Sequence, residues 1–208
     1  MFDVKRAWSV PSLGDALPRR GSWLLRWLAR GVLRAAGWRF EGGLPNVSKA
    51  VAIVAPHTSN WDFVIGLLGL FAVGVRVSWF GKHTLFKAPF KGLLRWLGGI
   101  PIDRRSSSGA VEQMVTRFHD SDALLVGLSP EGTRKPVARW HTGFWHIAAG
   151  AGCPIVPIAF DWGARVIRFG DPLQPTGDLD ADLATLYGFF AGAKGKKEKL
   201  PAAGKAAC

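Results

Sequence analysis

The sequence predicts an α/β fold. A single domain carries a covered, largely parallel mixed sheet flanked by helices, preceded by an amphipathic N-terminal helical segment. Three observations lead there. Short, nearly continuous apolar runs, such as VAIVA (51–55), ALLVGL (123–128) and PIVPIAF (154–160), have the length of strands buried on both faces. They alternate with longer segments of helical character. The chain has 208 residues, 48% of them hydrophobic, which is enough for one sizeable core.

Taken in order, residues 1–20 contain Pro11, Gly14 and Pro18 and read as an irregular lead-in. The stretch 21–40 then reads as a helix. At ~100° per residue Arg26, Arg30 and Arg34 form one stripe, with Leu24, Leu25, Leu28, Val32 and Ala35 opposite and Trp27 and Trp38 at the border. Two readings fit: an interfacial helix with indoles at headgroup level and guanidiniums on phosphates, or an amphipathic helix packed on its own domain. After the turn signal GGLPN come a strand (VAIVA), an apolar helix (61–74), a strand (VRVSWF) and a helix (85–99) that places Pro89 in its first turn. IPID is a short strand, and RRSSSG leads into a serine-capped helix, VEQMVTRFH. ALLVGL is a strand ending at SPEGTR, and GFWHIAAGAG a helix closed by glycine. PIVPIAF and ARVIRFG are strands, DADLATLYGFFAGA is the last helix, and 194–208 is a polar tail expected to be disordered.

Composition narrows the function. The formal charge of +12 is concentrated at the ends. Residues 1–40 carry a net +6 and 194–205 a net +4, while 41–193 carry only +2. Basic ends seek an anionic membrane surface or nucleic acid, and the near-neutral body without a nucleic-acid module favours the membrane. Two distant cysteines argue against a disulfide framework, and no Cys/His pairs stand at zinc-ligand spacing. Apolar stretches fall short of the ~18 to 20 residues that span a bilayer, and arginines interrupt any signal-peptide core. The expected location is therefore cytoplasmic. The sequence contains no G-x-G-x-x-G, no P-loop and no G-x-S-x-G.

HTSNWD follows the first buried strand. His57 and Asp62 would diverge by ~140° in a continuous helix, but a strand-to-helix turn can bring them together. Ser59 or Asn60 would then cap the helix, with Asp62 in its first turn. An aspartate on one imidazole nitrogen leaves the other free to take a proton. Without a Ser or Cys nucleophile motif, that base suits a substrate hydroxyl. Two further strand ends carry cations: Arg104 and Arg105 in GGIPIDRR, and Arg134 and Lys135 in SPEGTRK. Guanidiniums clustered there suit a phosphate. Of the other histidines, His119 reads as a solvated loop residue and His146 as a core histidine. His83 lies beside Lys87, Lys91 and Arg95, a basic stripe that is either solvated or turned toward phosphates.

Across roughly residues 50–170 the sequence resembles the glycerolphosphate and lysophosphatidic acid acyltransferases. HTSNWD fits their His-x₄-Asp block, GGIPIDRR the second block, PEGTR the third and PIVPIAF the fourth, in family order. The resemblance implies acyl transfer from a thioester, acyl-CoA or acyl carrier protein, to a hydroxyl of a lysophospholipid-like acceptor. It implies His57 as general base and Asp62 as its partner. It assigns acceptor and phosphate contacts to Arg104, with Arg105 as the register alternative, and to Glu131, Gly132, Thr133 and Arg134. Pro157 belongs to the fourth block. No metal and no cofactor beyond the thioester co-substrate are implied. The chain departs from the pattern at Pro56, where Asn is common, and at His141, where a basic residue, usually Lys, is expected.

The resulting expectation is three segments: a basic membrane-associating segment, 1–42, using Trp23, Arg26, Trp27, Arg30 and Arg34; an acyltransferase domain, 43–193; and the tail, 194–208. The acceptor expected is 1-acylglycerol-3-phosphate, giving phosphatidic acid. A lyso-aminolipid, a hydroxyacyl lipid, or a noncatalytic lipid-binding role on the same scaffold are the alternatives.

Overall fold

The computed structural model describes residues 8–82, 84, 86–102, 107–135 and 137–197. Helix α1 (Trp23–Ala35) and strand β1 (Arg39–Glu41) lead into β2 (Lys49–Ala55) and α2 (Asn60–Val73). Then come β3 (Ser78–Lys82), α3 (Lys91–Trp96), β4 (Gly99–Ile102) and α4 (Ser107–His119). The chain finishes with β5 (Leu124–Leu128), α5 (Gly143–Ala151), β6 (Ile155–Asp161), β7 (Val166–Phe169) and α6 (Leu179–Phe190).

The seven strands form one sheet in the order β1-β7-β6-β2-β5-β3-β4. All pairings are parallel except β6 with β7. The expected α/β class therefore holds. Strand β2 lies at the centre because its KAVAIVA run is apolar toward both faces: Val51 and Ile53 pack on the side of α4, α5 and α6, while Ala50 and Val54 face α1 and α2. Its neighbours are in register with Ile53 opposite Leu128 of β5 and Ala55 opposite Ala159 of β6. The carboxyl ends of β5, β2 and β6 thus lie side by side on one edge of the sheet.

Helix α2 starts with a capping box. The Ser59 hydroxyl accepts the Trp61 N–H, and Asp62 accepts the Ser59 N–H. It ends at Gly74, whose φ of +87° suits glycine and whose Cα faces the Arg26 guanidinium so closely that a Cβ would lie 2.7 Å from it.

Several expectations are corrected. The described part of the N-terminal segment, 8–42, does not stand apart from the domain: Leu17, Ala29, Leu33, Trp38 and Phe40 are buried in one core with Val73, Val156 and Ile167. On α1 the inward side buries Ala29 and Leu33 and carries two of the three arginines, with Arg30 Nε donating to the Ala72 carbonyl and Arg26 packed at Gly74, while Arg34 is exposed. The outward side carries Trp23, Leu24, Trp27, Leu28 and Val32, all exposed. Trp38, expected at the border of the helix, lies beyond its end and is buried edge-on to Trp162. Helix α3 is shorter than expected, with Pro89 in the turn before it. His146 is exposed rather than a core histidine, because α5 buries Phe144, Trp145, Ile147 and Ala148. The first four residues of the tail, 194–197, make contacts with the domain at Thr58, Trp61 and Trp162; residues 198–208 and His83 lie outside the described residues.

Candidate active site

Strand β2 ends at Ala55, and the chain turns through His57 and Thr58 into the cap of α2. That turn folds His57 back onto the first turn of the helix. Its Nδ1 lies 3.2 Å from Asp62 Oδ2. The same oxygen accepts the backbone N–H groups of Thr58 and Ser59, each at 2.7 Å, and Oδ1 accepts the indole N–H of Trp162 at 2.7 Å. Asp62 is 1% exposed, so the carboxylate has exchanged its water for four protein donors. Burial alone pushes this carboxyl up, but the donors from His57, Ser59, Trp162 and Thr58 outweigh it and hold the group below its ordinary range. The His57 side chain keeps 28% exposure, so its far nitrogen can reach a ligand.

Glu131 arrives from the end of β5, the strand beside β2. It is buried, and both carboxylate oxygens accept the His57 backbone N–H at 3.2 Å. Burial raises its carboxyl, with the His57 N–H and the His57 side chain opposing and Asp62 adding to the rise. Gly132 follows at φ +64°, and a Cβ there would lie 2.8 Å from His141 Cδ2, so the loop requires glycine. The Thr133 hydroxyl accepts the Lys135 N–H, and the Arg134 guanidinium donates to Asn60 Oδ1 at the start of α2. The third block is thereby tied to the His-Asp turn at both Glu131 and Arg134.

Arg104 and Arg105 lie outside the described residues. The strand order puts the end of β4 three positions from β2, roughly 14 Å along the sheet. Trp23, Arg26, Trp27, Arg30 and Arg34 belong to α1, which packs on α2, and none of them lines the cavity at the dyad.

That cavity, ≈ 1070 Å³, opens at His57, Asp62, Gly132 and His141. One arm runs between α2 and the sheet past Gly66, Leu70, Val54 and Ile158, and the other reaches Val111 and Phe144 on the opposite face. Its walls are predominantly aliphatic and aromatic, which suits a hydrocarbon chain. The Ser129 hydroxyl on this wall is buried with no hydrogen-bond partner among the described residues. No cluster of His, Cys, Asp and Glu able to hold a metal occurs among the described residues.

A family model described as Acyltransferase matches residues 39–161, more than half the chain, and spans His57, Asp62 and Glu131–Arg134 but not Trp162 or the residues of α1. The chain belongs to this acyltransferase family. Among curated relatives, a 1-acyl-sn-glycerol-3-phosphate acyltransferase of Haemophilus influenzae is 28% identical over 174 residues, covering 73% of this chain and 70% of the relative. A protein of the same description from Escherichia coli is 33% identical over 112 residues, covering 50% of this chain and 44% of the relative. The crystal structure of the 1-acyl-sn-glycerophosphate (LPA) acyltransferase from Thermotoga maritima superposes with a TM-score of 0.53 over 78% of this chain and 73% of that one. Its identity of 16% makes that a likeness of fold. In this acyltransferase the structure brings together His57, Asp62 and Glu131, which the sequence singled out, and adds Trp162, which it did not. The available signal was its position just after β6, at the same sheet edge that singled out the other site residues.

Proposed function

We propose that this acyltransferase moves a fatty acyl group from a thioester, carried by coenzyme A or by acyl carrier protein, to the hydroxyl of 1-acylglycerol-3-phosphate, giving phosphatidic acid. The observation that supports it most is the His57 ring, bonded through Nδ1 to a buried carboxylate and opening into an apolar cavity. Nε2 takes the proton of the acceptor hydroxyl as its oxygen attacks the thioester carbonyl carbon. The tetrahedral adduct then expels the thiolate as the C–S bond breaks, and the imidazolium returns its proton to sulfur. Arg134, whose guanidinium donates to Asn60 Oδ1 at the start of α2, offers N–H groups to the acceptor phosphate. The names of the relatives support the acceptor assignment.

The work takes place at the surface of an anionic membrane, on its cytoplasmic face. No helix among the described residues is long and apolar enough to cross one. Instead α1 presents Trp23, Leu24, Trp27, Leu28 and Val32 outward, and α3 presents Phe90, Leu93 and Trp96 beside exposed Lys91 and Arg95. A face of that size on a soluble protein marks an interaction surface, and the flanking cations suit anionic headgroups.

The test is His57→Ala assayed with radiolabelled acyl-CoA and 1-acylglycerol-3-phosphate. Transfer falls roughly 10²- to 10⁴-fold while the melting temperature holds. A variant that transfers at the wild-type rate sinks the base assignment. Wild-type enzyme that makes no new lipid sinks the enzymatic reading, and a panel with lyso-aminolipids and hydroxyacyl lipids identifies the acceptor.

A further inference from the structure

Three of the four donors to Asp62 serve Oδ2: the His57 imidazole and the Thr58 and Ser59 N–H groups. Oδ1 has one described donor, the Trp162 indole N–H at 2.7 Å. A carboxylate held at one oxygen can still turn about its Cβ–Cγ bond. Held at both, it presents Oδ2 to His57 in one orientation. The indole is itself fixed from three sides. Its ring stands edge-on to the buried Trp38, with centroids 4.9 Å apart and planes at 88°. Its backbone N–H donates to the Lys194 carbonyl at 2.8 Å. The Lys196 ammonium lies 4.7 Å from its centroid and 4.4 Å from that of Trp61. The segment 194–197 is seated in turn on the His-Asp turn: the Lys197 N–H donates to Thr58 Oγ1, and Gly195 lies so close to Thr58 that a Cβ would come within 2.5 Å of its Cγ2.

Resting on the general-base reading of His57, we infer that Trp162 is a positioning residue for the dyad, and that the strap 194–197 keeps its indole in place. Trp162 follows β6 as His57 follows β2 and Glu131 follows β5, so three neighbouring parallel strands each deliver one part of the constellation. Trp162 touches no reacting atom. It acts on the base through Asp62.

The charged groups around Asp62 define what a pH profile reads. His57 and Glu131 face it from the ends of β2 and β5, Asp161 precedes Trp162 and accepts the Ala164 N–H, Lys196 covers the indole, and Arg134 lies one residue pair away through Asn60. Trp162→Phe keeps an aromatic ring against Trp38 and under Lys196 while removing the N–H. With that donor gone, more negative charge stays on the carboxylate oxygen that faces the imidazole, and the described donors hold the carboxylate at one oxygen only.

The expected result is a kcat lowered roughly 10- to 100-fold, as for other groups that orient an active residue from behind, with KM for both substrates within about twofold of wild type and the acid limb of kcat/KM displaced upward. In an Asp62→Ala background the same substitution costs less than about twofold, because the group it acts through is gone. A wild-type kcat and acid limb in Trp162→Phe, or an equal loss in both backgrounds, overturns the inference. Should Trp162→Phe fail to fold, Lys196→Ala and Gly195→Ala carry the test by loosening the strap, with a smaller loss of kcat and the same displacement; unchanged values in both overturn it. A dead His57→Ala beside a wild-type Trp162→Phe defeats this inference alone, whereas an active His57→Ala defeats the reading beneath it.

Discussion

Asp62 and Glu131 are two buried carboxylates that both meet His57, one at its imidazole and one at its backbone N–H, and their surroundings push them in opposite directions. The donors on Asp62 hold its carboxyl low, while burial raises that of Glu131. The stability that Asp62 contributes is complete above the unfolded carboxylate range near pH ~4 and is lost as pH falls through its lower folded value. Glu131 works the other way: its contribution is complete in acid and is lost as pH rises through its raised folded value. Thermal melts between roughly pH 5 and pH 3 should therefore show Asp62→Asn with a flatter acid decline than wild type, and Glu131→Gln with a steeper one. Parallel curves for all three proteins would contradict this assignment. The dyad was legible in the sequence because a strand-to-helix turn can bring His57 and Asp62 together and because HTSNWD fits the His-x₄-Asp block of the acyltransferases it resembles. Trp162 was not, since its partner lies 100 residues earlier and nothing in a tryptophan's neighbours reveals what its N–H meets.

At the level of elements, α1 shows what periodicity resolves and what it leaves open. The spacing separated an arginine stripe from an aliphatic one correctly, but which stripe faces the protein depends on the partner surface. The C-terminal end of α2 supplies it, with a carbonyl at Ala72 that accepts from Arg30 and a glycine at 74 against which Arg26 packs. Two substitutions separate the two faces. Leu33→Ala empties a fully buried site and should cost about 2–5 kcal/mol in urea unfolding. Trp27→Ala and Trp23→Ala, at exposed positions, should leave the unfolding curve in place and weaken partition onto anionic vesicles roughly tenfold each, on the order of 1.4 kcal/mol. Equal vesicle binding by wild type and the two tryptophan variants would remove α1 from the membrane contact. Strand β1 escaped the sequence reading because three residues at a sheet edge carry almost no periodic signal. Its pairing with β7 exists only once Trp38 and Phe40 are buried.

For the molecule as a whole, the sequence predicted a sheet but not its strand order, and the order is what assembles the site. Neighbours β5, β2 and β6 come from residues 124–128, 49–55 and 155–161, so contacts distant along the chain set the geometry of the dyad. The basic ends also take on a spatial meaning. The N-terminal region contributes α1 and Arg20, whose guanidinium lies 5.0 Å from the ring centroids of both Phe71 and Trp96 and donates to the carbonyls of Trp96 and Leu97. Lys196 and Lys197 lie beside the His-Asp turn. With cations at both places and apolar helices outward, vesicle affinity should fall as salt rises from about 50 to 500 mM, where the screening length drops from roughly 14 to 4 Å, and should level off above zero where apolar burial takes over. Affinity independent of salt would assign the whole contact to the aromatic face.

One carboxylate both closes the capping box of α2 and orients the imidazole. Secondary structure and catalytic competence therefore hang on the same side chain. Fraying of the first turn of α2 is expected to silence the enzyme before most of its helix content has melted.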